Sequence, residues 1–141
     1  MTEPINQSSN TISMKVLLDT HTFIWLDTAP EKLSAVAMRA CQNPDNELYL
    51  SVASVWEILI KSRLGKLTLD VPLESMIQVQ RELNNLQILP IGLDHVLTLQ
   101  NLPSHHNDPF DRILIVQALV EGAQMVSADE QLKQYQLEVV W

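Results

Sequence analysis

The chain has 141 residues, enough for one domain with its own core and too few for two. Apolar residues make up 46% and charged residues 18%, which excludes a disordered tail. Seventeen acids against nine Lys and Arg give a net charge of −8, which argues against bulk-charge coating of duplex DNA but leaves room for a small metal-centred nucleic-acid site.

Met1 to Ser13 is rich in Ser, Thr, Asn and Gln and reads as a disordered extension, with residues 14–141 as one domain. Met14-Lys15 leads directly into the first strand, so Met14 is an alternative start. The extension lacks the basic start and apolar stretch of a secretory signal. Apolar runs such as Ile113-Leu114-Ile115-Val116 fall far short of the ~20 residues that span a bilayer. The single Cys41 excludes an internal disulfide and an all-Cys zinc site, and the cytoplasm is the expected compartment.

Lys15-Val16-Leu17-Leu18-Asp19 reads as a buried strand that ends in an acid. Glu31 to Cys41 has helical composition, with Leu33, Val36, Ala37 and Ala40 on one face. Leu48 to Val52 reads as a second strand. Ala53 to Leu64 reads as a helix with apolar residues at Val55, Trp56, Leu59, Ile60 and Leu64, ended by Gly65. Pro72 opens a further helix. Ile88-Leu89 is a short strand and Asp94 to Leu99 a short helix.

Asp108-Pro109-Phe110-Asp111 starts the strongest helix, with Asp108 at the N-cap, Pro109 at the first position and Asp111 in the first turn. Its apolar residues run nearly all round, so it should be buried up to Gly122. Gln124 to Ser127 and Leu137 to Val140 complete the strands. Alternation of strands and helices predicts an α/β sandwich, three layers around a mostly parallel sheet of about five strands.

In open α/β sheets, sites lie beyond the carboxyl ends of the strands. Asp19 ends the first strand, and Asp129 lies just past the fourth. Glu57 is one turn into the helix after the second strand, and Asp111 is in the first turn of the long helix. These four acids are the candidates to meet at one sheet edge. Crowded carboxylates repel unless cations lie between them, and hard Mg²⁺ or Mn²⁺ ions suit an oxygen-only set.

Each acid also has a plainer role. Asp19 fits a strand end or helix cap, Asp108 and Asp111 a capping pair, with Asp108 the better cap, and Asp129 a cap for a short helix through Lys133. Glu57 fits an i,i+4 pair with Lys61, worth about 0.3–0.5 kcal/mol. The basic cluster Lys61, Arg63 and Lys66 suits either the helix dipole or an RNA backbone. His105-His106 reads as a solvated surface pair, and His21 as a core or surface residue. Ser51, Ser54 and Ser127 form no Ser-His-Asp arrangement, and the three glycines form no phosphate loop.

Leu17-Leu18-Asp19-Thr20-His21 with Trp25 opens a set of motifs, followed by SVASVWEILIKSRLGKL from Ser51 to Leu67. HNDPFDRILIVQA from His106 to Ala118, Val126-Ser127-Ala128-Asp129 and Val139-Val140-Trp141 complete the set. With these motifs, over about Met14 to Trp141, the chain resembles a PIN-domain ribonuclease of the VapC toxin type. Ser127 stands where Thr is usual, and Val116 where a small Ala is usual.

The resemblance implies an α/β/α fold and a Mg²⁺- or Mn²⁺-dependent endoribonuclease. It maps the catalytic, metal-holding acids onto Asp19, Glu57, Asp111 and Asp129, with Asp111 preferred over Asp108. Asp108, Arg112, Ser127, Lys61 and Arg63 become candidates for supporting the acids or touching RNA. A small antitoxin that blocks the acidic pocket and a homodimer are also implied. The rival expectation is a non-catalytic module of the same fold that binds RNA or protein. A dehalogenase-like phosphatase wants an acid where His21 stands. A receiver domain wants an acidic pair before the first helix and a late Lys, and neither is evident.

Overall fold

The computed structural model describes residues 13–141. The extension expected over Met1–Ser13 therefore lies, except for Ser13, outside the described residues. Five strands form one parallel sheet: β1 (Lys15–Leu18), β2 (Glu47–Ser51), β3 (Gln87–Leu89), β4 (Gln124–Val126) and β5 (Val139–Val140). Their spatial order is β3-β2-β1-β4-β5, and every pairing is parallel. Six α-helices accompany them: α1 (Thr20–Thr28), α2 (Ala35–Gln42), α3 (Val52–Arg63), α4 (Leu73–Asn84), α5 (Leu93–Thr98) and α6 (Pro109–Glu121).

The central strand β1 packs on both faces. Val16 and Leu18 join a core with Phe23, Leu48, Ile58 and Met76, while Leu17 joins a second core with Ile115, Val116 and Met125. This is the period-two alternation of a strand buried between two helical layers. Helix α6 is buried from Ile113 through Ala118, and Gly122 ends it at φ 67°. Among the described residues, no helix is long and apolar enough to cross a membrane.

The strand order sets the position of the site. After β1 the chain builds outward through β2 and β3, then crosses over to β4 and β5. Strands β1 and β4 are neighbours whose connections leave in opposite directions, so a crevice opens between their carboxyl ends. The Asp19 amide donates to the Val126 carbonyl at 3.2 Å and extends the pairing into that crevice.

Several details depart from the sequence expectation. Helix α1 follows Asp19 directly, although Thr-His-Thr-Phe-Ile-Trp is rich in weak helix formers. A single 31–41 helix is replaced by a 3₁₀ turn at Pro30–Lys32 and a helix that starts after Ser34, whose hydroxyl accepts from the Ala37 amide at 3.0 Å. Val36 is 47% exposed, and Cys41 fills the buried face instead. Strand β5 keeps only its last two residues. Helix α3 turns Trp56, Leu59 and Leu64 outward and buries Ala53, Ser54, Glu57 and Ile58.

Candidate active site

Asp19 caps α1 at the end of β1. Its Oδ1 accepts from the Thr22 amide at 2.7 Å, and its Oδ2 accepts a short hydrogen bond from the Ser127 hydroxyl. Ser127 is buried just beyond β4, and its Oγ also accepts from the Asp129 amide at 3.0 Å. One hydroxyl therefore connects the two acids on neighbouring strands. Asp129 caps the 3₁₀ turn Glu130–Gln134, its Oδ1 accepting from the Gln131 amide at 2.9 Å.

Glu57 is only 4% exposed, on the inner face of α3. Its Oε2 lies 2.5 Å from the Lys61 ammonium, and its Oε1 accepts from the Thr20 hydroxyl at 2.6 Å. A buried carboxylate is tolerated when paired and hydrogen-bonded in this way. Thr20 lies 3.0 Å from Ser54 and joins α1 to α3 beside Asp19. The i,i+4 pair expected between Glu57 and Lys61 is present, in a buried setting. Arg63 is exposed in the last turn of α3.

Asp108 is the N-cap of α6, its Oδ1 accepting from the amides of Phe110 at 2.8 Å and Asp111 at 3.1 Å. Asp111 is different. Among the described residues no donor reaches its carboxylate. Burial pushes its pKa from 3.8 up to about 6, and the negative charges of Asp108, Glu57 and Asp129 add to the rise, with His106 acting in the opposite sense. Asp19, Asp111, Ser127 and Asp129 line one cleft of about 20 Å³. Glu57 does not line it; it accepts from Thr20, the residue after Asp19, and its charge contributes to the raised Asp111 pKa.

His106 departs from the expected solvated surface pair. It is 7% exposed, with Nε2 2.9 Å from Asp129 Oδ2 and Nδ1 3.0 Å from the Tyr135 hydroxyl. The only local signal is its position two residues before the Asp108 cap, where a polar loop normally leaves a His in water. Among the described residues, Arg112 makes no hydrogen bond to an acid. Its guanidinium donates to the carbonyls of Leu102, Pro103 and His106 and clamps the loop that carries His106. His21 is exposed, its ring 5.9 Å from that of Trp25.

The carboxylates and the Ser127 hydroxyl at the cleft offer oxygen donors, which suit Mg²⁺ or Mn²⁺ rather than a soft metal. The carboxylate of Asp111, repelled by its neighbours and unpartnered among the described residues, is one that a cation would relieve. In the structure the other three acids are drawn onto Ser127, Lys61 and His106. Among the described residues, the three ligand atoms already close enough to share an ion belong instead to Asp94, His95 and Glu121. That group has a structural explanation. The Gly92 amide donates to His95 Nδ1 at 2.9 Å, which leaves the proton on Nε2, 2.8 Å from Glu121. It braces α5 against the far end of α6, about 15 Å along the helix from Asp111.

Residues 16–137 match the model of the PIN domain family. The chain is 29% identical over 121 residues to Ribonuclease VapC22 of Mycobacterium tuberculosis, covering 85% of this chain and 91% of that one. A chain from the crystal structure of VapBC2 of Rickettsia felis bound to a DNA fragment from their promoter aligns with a TM-score of 0.66 at 14% identity, covering 89% of this chain and 97% of that one. A chain of DNA-bound VapBC from Salmonella typhimurium gives 0.64 at 14% identity, over 89% and 96%. VapBC-1 from nontypeable Haemophilus influenzae gives 0.58 at 21% identity, over the same shares.

Proposed function

This chain belongs to the PIN domain family, and from that premise we propose that it is a metal-dependent endoribonuclease, the toxin of a toxin–antitoxin pair. The observation that carries the reading is Asp111. Among the described residues its carboxylate has no donor; it is repelled by three acids and lies in the crevice with Asp19 and Asp129. Such a group is costly to the fold unless a cation is recruited to it. The similarity to Ribonuclease VapC22 supports RNA as the substrate. The VapBC neighbours support a partner antitoxin.

Asp19 and Asp111 are the residues to hold Mg²⁺ or Mn²⁺, with Glu57 and Asp129 completing the set directly or through water. Bound there, a divalent ion would supply an acidified water and neutralise charge on the phosphate. The chain's own groups set the geometry. Ser127 fixes Asp19 relative to Asp129, and His106 fixes the other oxygen of Asp129. Lys61 balances the buried Glu57 beside the cleft. With few basic residues, RNA is recognised by shape and a small number of contacts. A homodimer in the cytoplasm is the assembly and location that accompany this reading.

The test is cleavage of total cellular RNA by the purified protein with Mg²⁺, Mn²⁺ or EDTA. Discrete fragments that require metal and vanish in Asp19→Asn are expected, with 5′-phosphate and 3′-hydroxyl ends if water is the nucleophile. Equal behaviour of wild type and Asp19→Asn, with both folded and free of antitoxin, contradicts the catalytic reading and leaves a binding module.

A further inference from the structure

A second hollow opens beside the acid cleft. It has a volume of about 130 Å³, and its lining includes Ser127, Asp129, Glu130, Lys133, Val139 and Trp141. Ser127 and Asp129 line both spaces, so the hollow and the cleft share a wall. Trp141 also lines the hollow and is 36% exposed. Its ring centroid lies 6.0 Å from that of Trp25, which lies 5.9 Å from that of His21. The Lys32 ammonium sits 5.7 Å from the Trp25 ring. The row of rings begins two residues after Asp19 and ends at the hollow that borders Asp129.

Open rings beside a hydrolytic cleft suit one chemistry in particular. The chain carries a net charge of −8, and acids at the cleft repel phosphates, so its few basic residues give limited grip on a phosphate backbone. Stacking on ring faces supplies grip that does not depend on charge. An unpaired nucleobase supplies a flat apolar face that stacks on an aromatic ring. The edge of such a base needs polar partners. Lys133 and Glu130, 2.8 Å apart at the hollow, supply a donor and an acceptor. A base inside a duplex has no free face to offer.

We propose that this hollow is the subsite for one unpaired base of single-stranded RNA, the nucleotide next to the bond that is cut, stacked on Trp141. This deepens the ribonuclease reading and rests on it for the identity of the neighbouring reaction. It makes Trp141 a specificity-determining residue, and it predicts that the substrate is bound single-stranded at the cut site.

The test uses the full chain as wild type, Trp141→Leu and Trp141→Phe, with thermal melts to check folding. Binding is read in EDTA by fluorescence anisotropy of a short fluorescein-labelled single-stranded RNA of mixed sequence, and of its duplex. Trp141→Leu should weaken single-strand binding about tenfold, as expected for about 1.4 kcal/mol of stacking. Trp141→Phe keeps a ring and should stay within about threefold of wild type. Duplex binding should not change. Unchanged binding in Trp141→Leu overturns the subsite, as does an equal loss in Trp141→Phe or a wild type that binds no single strand. If Trp141→Leu does not fold, near-native binding by Trp141→Phe with a shifted cleavage-site preference supports the subsite, and an unshifted preference overturns it. Cleavage by wild type separates the two readings. Metal-dependent cleavage with unaltered binding in Trp141→Leu removes only the subsite. Trp141-dependent binding without cleavage in any metal removes the ribonuclease.

Discussion

Replacing Asp111 with Asn should make the metal-free protein more stable while abolishing its activity. In the folded chain the Asp111 pKa is raised from 3.8 to about 6 by burial and by the charges of Asp108, Glu57 and Asp129. At 1.36 kcal/mol per pH unit, the gap corresponds to about 3 kcal/mol for a fully enclosed group. The carboxylate is only half enclosed, and screening by solvent reduces this to on the order of 1 kcal/mol. The sign follows from proton linkage. Between about pH 4 and pH 6 the folded state holds the Asp111 proton more tightly than the unfolded state, so wild type loses stability as pH rises through that window. Asn has no proton to lose. In EDTA, urea denaturation should therefore find Asp111→Asn equal to wild type near pH 4 once its lost ionisation is irrelevant, and more stable by about 1 kcal/mol at pH 8. That corresponds to a melting temperature higher by about 3 °C. Excess Mn²⁺ should reverse the order, because an ion that binds only the folded wild type stabilises it by mass action. An Asn variant that is less stable than wild type at pH 8 in EDTA refutes the claim that Asp111 is held under electrostatic strain.

Three further outcomes follow from the same contacts. His106→Ala frees Asp129 Oδ2 and strands the Tyr135 hydroxyl, and should weaken Mn²⁺ binding by about 10- to 100-fold in calorimetric titration; an unchanged affinity means that His106 does not shape the metal site. Glu57→Gln keeps an acceptor for Thr20 but leaves Lys61 without its partner, and RNA cleavage should fall at least about tenfold while the far-ultraviolet circular dichroism stays native. Retained cleavage excludes Glu57 from the machinery. On the two faces of α3, Ile58→Ala should cost about 2–5 kcal/mol in urea denaturation and Trp56→Ala under about 1 kcal/mol, since Ile58 is fully buried and Trp56 is 57% exposed. Equal costs contradict the orientation of that helix.

The parallel sheet and the ends of α6 were legible because they depend on local chemistry. Short apolar runs alternating with helical segments, an Asp-Pro start and a Gly stop are signals carried by neighbouring residues. The placement of Asp19 and Asp129 at a common edge follows from their strand ends once β1 and β4 are parallel neighbours, as the structure has them. What the sequence hides is set by tertiary contact. Helix α1 forms from weak helix formers because Asp19 caps it and Phe23 and Leu26 pack into the core. The faces of α3 could not be read from apolar spacing, since its inner face carries Glu57 and Ser54 while Trp56 and Leu59 face out. His106 looks like any loop His until Tyr135 and Asp129, from a segment more than twenty residues later, enclose it. Arg112 likewise finds its carbonyl partners only when the loop folds back over α6.

We propose that the acids at the β1–β4 crevice, and not the Asp94–His95–Glu121 brace, hold the divalent ion. Crystals soaked in Mn²⁺ and measured near the manganese edge test it most directly. An anomalous peak between Asp19 and Asp111, absent in Asp111→Asn, is the predicted result. A peak confined to Asp94, His95 and Glu121, or no peak at saturating Mn²⁺, would contradict it.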